Sequence, residues 1–395
     1  MTKKDLLYNY YSLLLVLCPM LFVYSLGGVN LVYLLFFAGL IFSFWLTNFR
    51  YSLSVGNGLY YFFIYMILIS PLAYGITYLQ AGNFFQIGTC YFLLCVIIYL
   101  NFVKKELVLR YYLMIAIFSL IFFYFQELYF GILGGRISGI IPFLEFSYYN
   151  DVSNEDMQNF QENTNRSSSF FLEPALYAQF LLPALIYNMK YKMKNIVYVC
   201  CIMFAFILLR SGVGLIVSVF CMVVFLYHIP FKTQFRRYSF IVFSYLFFSL
   251  ALLWITQTNY VVELTNRASE FDSGNYESSG FVRILRGYYL FSDLPLISKI
   301  FGVGTTNLSD VIQKSSFAFM FGDNEVYLNG IQAILIGGGG IGLFLFLLMI
   351  YRLYTKVDFT GKMILASFLI ISFMASSYLS VIMLLYIVLA LQFKK

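Results

Sequence analysis

Between Asn195 and Pro230 the chain carries a single strongly charged side chain, Arg210, and that stretch dictates the class of fold. As one continuous helix it would be about 50 Å long, against a bilayer hydrocarbon core of about 30 Å. It must double back, and Arg210-Ser211-Gly212 supplies the turn. The run from Met363 to Phe393 poses the same problem and offers Ser376-Ser377-Tyr378. Composition agrees: 61% of the 395 residues are hydrophobic and 11% charged, too little charge to clothe a soluble protein of this size.

Read this way, the sequence predicts twelve spans, at about 7–26, 29–47, 59–79, 84–103, 111–132, 171–189, 193–209, 212–230, 239–257, 326–350, 363–377 and 380–393. The expected fold is all-α, a polytopic integral membrane protein with one transmembrane domain over residues 1–395. No cleavable signal is expected, because the first apolar run holds Pro19 and Gly27 but no small-x-small site. The six cysteines, Cys18, Cys90, Cys95, Cys200, Cys201 and Cys221, fall inside apolar runs and imply neither disulfides nor a metal site. Nothing resembles a nucleotide loop, a coiled coil or a solenoid repeat, and no nucleic-acid partner is expected.

Charge orients the map. With the N-terminus inside, the inner segments hold seventeen of the 25 basic residues and three of the 18 acids, as the positive-inside rule asks. Both termini are therefore expected in the cytoplasm. Two outer loops, 133–170 and 258–324, dwarf the tight turns between the other spans, and long loops of this kind tend to carry function.

Several charges sit on that outer side. Arg166, Glu173 and Pro174 stand at the mouth of the sixth span. Proline at a helix start and an acid near the positive end of its dipole also suit an ordinary helix beginning. Arg210 lies alone in an apolar hairpin, where it either snorkels to lipid phosphate or serves a site. Arg283 and Arg286, in FVRILRGYYLF, are one turn apart and face the same way on a helix, as a solvated interfacial face or as part of a site. Arginine suits bidentate capture of phosphate oxygens. The only histidine, His228, is at the inner end of its span, so an outer base would be a carboxylate such as Glu173, Asp323 or Glu325, or a tyrosine.

Four stretches resemble the Wzy-type polymerases of bacterial O-antigen and capsular polysaccharide, relatives of the O-antigen ligases. These are RSSSFFLEPALYAQFLLPAL, LLRSGVGLIVSV, SGFVRILRGYYLFSDLPLISKIFGVGTTN and DNEVYLNGIQAILIGGGGIGLFLF. The lack of an outer-loop histidine favours polymerase over ligase. The resemblance implies a C-class membrane glycosyltransferase that moves a growing glycan from its polyprenyl pyrophosphate carrier, undecaprenyl pyrophosphate, to an incoming lipid-linked repeat unit. It implies no cofactor or metal, the lipid carrier being substrate, and a bacterial cytoplasmic (inner) membrane location. Implied partners are membrane lipids, lipid-linked oligosaccharide repeat units, and a flippase and chain-length regulator of the same pathway.

On this reading Arg166, Arg210, Arg283 and Arg286 stabilise the leaving pyrophosphate, and Glu173 is the base or the group that orients Arg166. The family-like motifs put Gly302, Gly304, Asn324, Glu325, Tyr327 and Asn329 against substrate. The run Gly337–Gly340 permits close helix approach or a local kink. A flippase or other transporter of the same lipid-linked glycan, a ligase, and a membrane scaffold are the competing readings. Lopsided loops and charges at the outer edge, rather than paired halves with charges at the midplane, weigh against a transporter.

Overall fold

The computed structural model describes residues 3–27, 29–47, 60–74, 103–135, 137–141, 144–146, 167–191, 196–209, 211–228, 279–304, 308–321, 327–376 and 380–393, with a few isolated positions between 238 and 249. The described chain is mostly helical, 79%. In chain order it runs α1 (Lys3–Leu21), β1 (Tyr24–Leu26), β2 (Val29–Asn30), α2 (Leu31–Thr47), α3 (Tyr60–Tyr74), α4 (Lys105–Leu133), β3 (Glu145–Phe146), α5 (Pro174–Tyr191), α6 (Ile196–Leu208) and α7 (Gly212–His228). The second half contains α8 (Ser279–Ile284), α9 (Arg286–Asp293), α10 (Leu296–Phe301), α11 (Leu308–Lys314), α12 (Gly330–Lys356), α13 (Phe359–Ser372) and α14 (Val381–Leu391).

Both long apolar runs are divided where sequence expects, between α6 and α7 and between α13 and α14. Two helices, α4 and α12, are long and apolar enough to cross a membrane. α4 starts at Lys105 rather than near residue 111, because helical hydrogen bonding continues through its charged first turns, whereas the expected span followed apolar residues only. The expected span at 84–103 lies outside the described residues except for Val103, as does most of 239–257. A small antiparallel sheet, ordered β2-β1-β3, accompanies the helices. It pairs Ser25 with Asn30 and Tyr24 with Phe146, tying the turn after α1 to the first long loop.

The core gathers around α5 and α14. Every residue of α14 is buried, as a helix that is apolar all round requires. α5 contains Pro183, which lacks an N–H and so leaves the Gln179 carbonyl without its helical partner. The Tyr386 hydroxyl of α14 donates to that carbonyl at 2.6 Å. One residue on, the Tyr112 hydroxyl of α4 is inserted into the ladder, accepting from the Ala184 N–H at 2.8 Å and donating to the Phe180 carbonyl at 2.5 Å. Two tyrosines from other helices thus repair the proline break.

α4 shows two faces. Val108, Tyr112, Ala116, Leu120 and Phe123 are buried, while Met114, Phe118, Ile121, Phe125, Leu128 and Ile132 form an exposed apolar stripe. The early turns of α4 lie beside the late turns of α5, which assigns the ends of the bundle. One end collects ion pairs, Lys104–Asp5 at 3.1 Å and Lys190–Asp358 at 2.8 Å. The opposite end collects the sheet, the segment before α5 and the start of α12.

Candidate active site

The beginning of α12 organises that loop end. Asn329 is its N-cap and forms a capping box: its side chain accepts from the Gln332 N–H while the Gln332 side chain accepts from the Asn329 N–H. The remaining amide hydrogens of both reach the last turn of α8. Asn329 Nδ2 donates to the Arg283 carbonyl at 2.7 Å, and Gln332 Nε2 to the Ile284 carbonyl at 2.8 Å. Carbonyls at a helix C-terminus have no partner within their own helix, so these bonds end α8 and fix it on α12. Asn329 also donates to Phe373, and the Gly330 N–H to Ala375, which brings in the end of α13. Asn329 and Gln332 are both fully buried.

This arrangement separates the two arginines expected on one helical face. The helix breaks at Leu285, so Arg283 closes α8 and Arg286 opens α9. Arg283 is partly exposed, its guanidinium carbon 5.9 Å from the centre of the Tyr327 ring. Arg286 turns inward and is only 1% exposed. Its Nη2 donates to the Tyr327 carbonyl at 2.9 Å, its Nη1 reaches the Met320 carbonyl at 3.4 Å, and the group lies 4.4 Å from the centre of the Phe321 ring.

Glu173 is exposed, immediately before Pro174, the first residue of α5. The serines ahead of it anchor this segment to α4. Ser169 adopts φ 55°, donates its N–H to Gln126 Oε1 at 2.9 Å, and donates its hydroxyl to the Ser119 carbonyl at 2.8 Å. Gln126 in turn donates to the Ile137 carbonyl at 2.7 Å. Gly139 lies so close that a Cβ there would fall 1.8 Å from the Ser169 carbonyl oxygen. Phe170 stacks on Phe122 with centroids 4.3 Å apart.

Tyr327 is where the two halves meet. Its ring centre is 5.9 Å from the Arg283 guanidinium carbon, its carbonyl accepts from Arg286 Nη2 at 2.9 Å, and Glu173 is near enough to act on its hydroxyl electrostatically. Two guanidinium groups and one carboxylate are thus neighbours of Tyr327. Its phenol donates a hydrogen bond and offers a ring face to a sugar, beside charges of both signs.

Among the expected site residues, Arg283, Arg286 and Tyr327 are in contact, and Glu173 is close enough to Tyr327 to act on it electrostatically. Arg166, Arg210, Asn324 and Glu325 lie outside the described residues. Asn329 is near but buried, its amide occupied by backbone partners. Gly302 and Gly304 are elsewhere, buried against the middle of α12, where the Gly304 N–H donates to the Gly337 carbonyl at 2.8 Å. Gln332 escaped the sequence reading, although an Asn-x-x-Gln ahead of an apolar run is a capping-box signal. Among the described residues, no three His, Cys, Asp or Glu side chains gather as a metal site would need.

No protein-family model matches this chain, and no curated protein does. The resemblance to polysaccharide polymerases therefore rests on the four motifs and on the expected topology alone.

Proposed function

We propose that the protein polymerises lipid-linked oligosaccharide repeat units into an O-antigen or capsular polysaccharide, on the outer face of the bacterial cytoplasmic membrane. The observation that carries this reading is the meeting of Glu173, Arg283 and Arg286 around Tyr327 at the loop end of the bundle. The proposed topology has twelve spans with both termini in the cytoplasm. The exposed apolar stripe of α4 supports it, since lipid is the natural cover for such a face.

The reaction breaks the bond between an anomeric carbon and its pyrophosphate oxygen and joins that carbon to a hydroxyl oxygen of the incoming repeat unit. Negative charge accumulates on the departing pyrophosphate, and preorganised cations at that position lower the barrier. Arg283, partly exposed, is the described arginine placed for this work, with Arg166 and Arg210 as its proposed companions. Glu173 takes the hydroxyl proton or orients Arg166. Tyr327 stacks against a sugar ring and donates a hydrogen bond. Arg286, buried beneath it, holds Tyr327 in place, and Asn329 holds the end of α8.

The test is reconstitution. Purified protein mixed with the lipid-linked repeat unit of its own host should yield a glycan ladder on a gel. Arg283→Ala and Arg166→Ala should abolish it while the protein remains folded. A folded protein and intact substrate with no ladder would turn the reading towards transport or a different acceptor.

A further inference from the structure

The second long loop holds a helix that packs against the middle of α12. α10 ends against the middle of α12, where Gly339 adopts φ 65° and breaks the helix. The contact is backbone on backbone: a Cβ on Gly339 would lie 2.4 Å from the Ile300 carbonyl oxygen, and one on Gly302 would lie 2.3 Å from that of Gly337. Gly339 is nine residues beyond the start of α12 at Gly330. That separation is about 13 Å along the axis, well inside a hydrocarbon core of about 30 Å if α12 crosses it.

The backbone is provided for at this depth. The Tyr65 hydroxyl of α3 donates to the Phe301 carbonyl at 2.6 Å, and the Gly302 N–H donates to Ser298 at 2.7 Å. Val303 N–H donates to the Ile336 carbonyl at 3.0 Å, so the two broken segments satisfy each other. Irregular backbone survives at membrane depth only when it is paired within the protein in this way. The outward side chains are apolar: Leu296 is 73% exposed and Ile297 74%, with Ile300 and Phe301 also open. Lys299 bends back, donating its ammonium to the Ser292 carbonyl at 2.8 Å, as a snorkelling lysine does.

We infer that α10 is a re-entrant helix whose Leu296, Ile297 and Phe301 are covered by the acyl chains of the membrane. This requires that α12 cross the bilayer and does not depend on the polymerase reaction. The test uses full-length protein in liposomes, with tryptophan introduced by Ile297→Trp and, separately, Leu296→Trp. Emission from native Trp45 and Trp254 is subtracted using the unmodified protein. Phe344→Trp, on an exposed position of α12, reports hydrocarbon, and Asp310→Trp, exposed on α11, reports water.

Phospholipid brominated on its acyl chains should quench the added emission at 297 and 296 to the same extent as at 344, and aqueous iodide should quench only 310. Iodide quenching at 297 and 296 matching that at 310, with no effect of brominated chains, overturns the inference. If 344 also behaves as water-exposed, α12 does not cross and the inference falls with it.

Discussion

Arg286 is a permanent charge held at 1% exposure, and its surroundings show how such a group is tolerated. Two carbonyls, of Met320 and Tyr327, and the Phe321 ring replace its lost water. Arg286→Ala should strand those carbonyls and cost about 2–4 kcal/mol, read as a lowered thermal midpoint in detergent. Arg283→Ala, at a partly exposed position, should change stability by no more than about 0.5 kcal/mol while polymer growth is lost. Equal destabilisation by both would contradict their division into holder and contact. Tyr112→Phe is a further test at this scale. It removes the hydroxyl that joins Ala184 to Phe180 next to Pro183, and should cost about 1–3 kcal/mol by denaturant titration.

Among elements, the joint between α10 and α12 is the most sensitive. Gly339→Ala meets both a positive φ and the Ile300 carbonyl, so it should detach α10 and raise hydrogen exchange across residues 296–304. A smaller tie holds α11 to α9. The exposed Asp293 carboxylate accepts from the Ser315 hydroxyl and from the Ser316 N–H and hydroxyl. These bonds, with the Ser315 hydroxyl first, hold its carboxyl below the ordinary 3.8. A lowered value means this contribution is present above pH 3.8 and lost as pH falls through the folded value. Exchange at the Ser316 amide should therefore rise in that acid window and become pH-insensitive, beyond its intrinsic rate, in Asp293→Asn. The Asn329–Gln332 capping box has a local signal, Asn-x-x-Gln, that the sequence reading passed over, and its use has none. Its amides end α8 by reaching carbonyls 46 and 48 residues away, and no local pattern reports that.

For the whole molecule, the proposed orientation puts residues 3–4 and 394–395 on the cytoplasmic side and Asp310 outside. A membrane-impermeant maleimide applied to intact cells should label Asp310→Cys and leave a cysteine added at either terminus unlabelled until the cells are opened. Labelling of either terminus in intact cells would reverse or break the map. Charge asymmetry is what proposes that orientation, because the rule sums over many residues and tolerates errors at each span end. The site was legible only as a set of candidates. Arginines and a glutamate at loop edges could be named, but neither the contact of Arg283 with Tyr327 nor the inward turn of Arg286 could be.

The sequence alone determined that the two long apolar runs divide, between α6 and α7 and between α13 and α14. The hydrogen bonds of a helix are local, and a run too long and apolar for one bilayer crossing has to turn at the few polar residues it contains. Tertiary structure alone decided three things: which arginine faces solvent, how the Pro183 break is repaired, and where α10 lies against α12. Each depends on a hydroxyl, an amide or a glycine contributed from a distant part of the chain, and packing between distant parts leaves no periodic trace in the sequence that it joins.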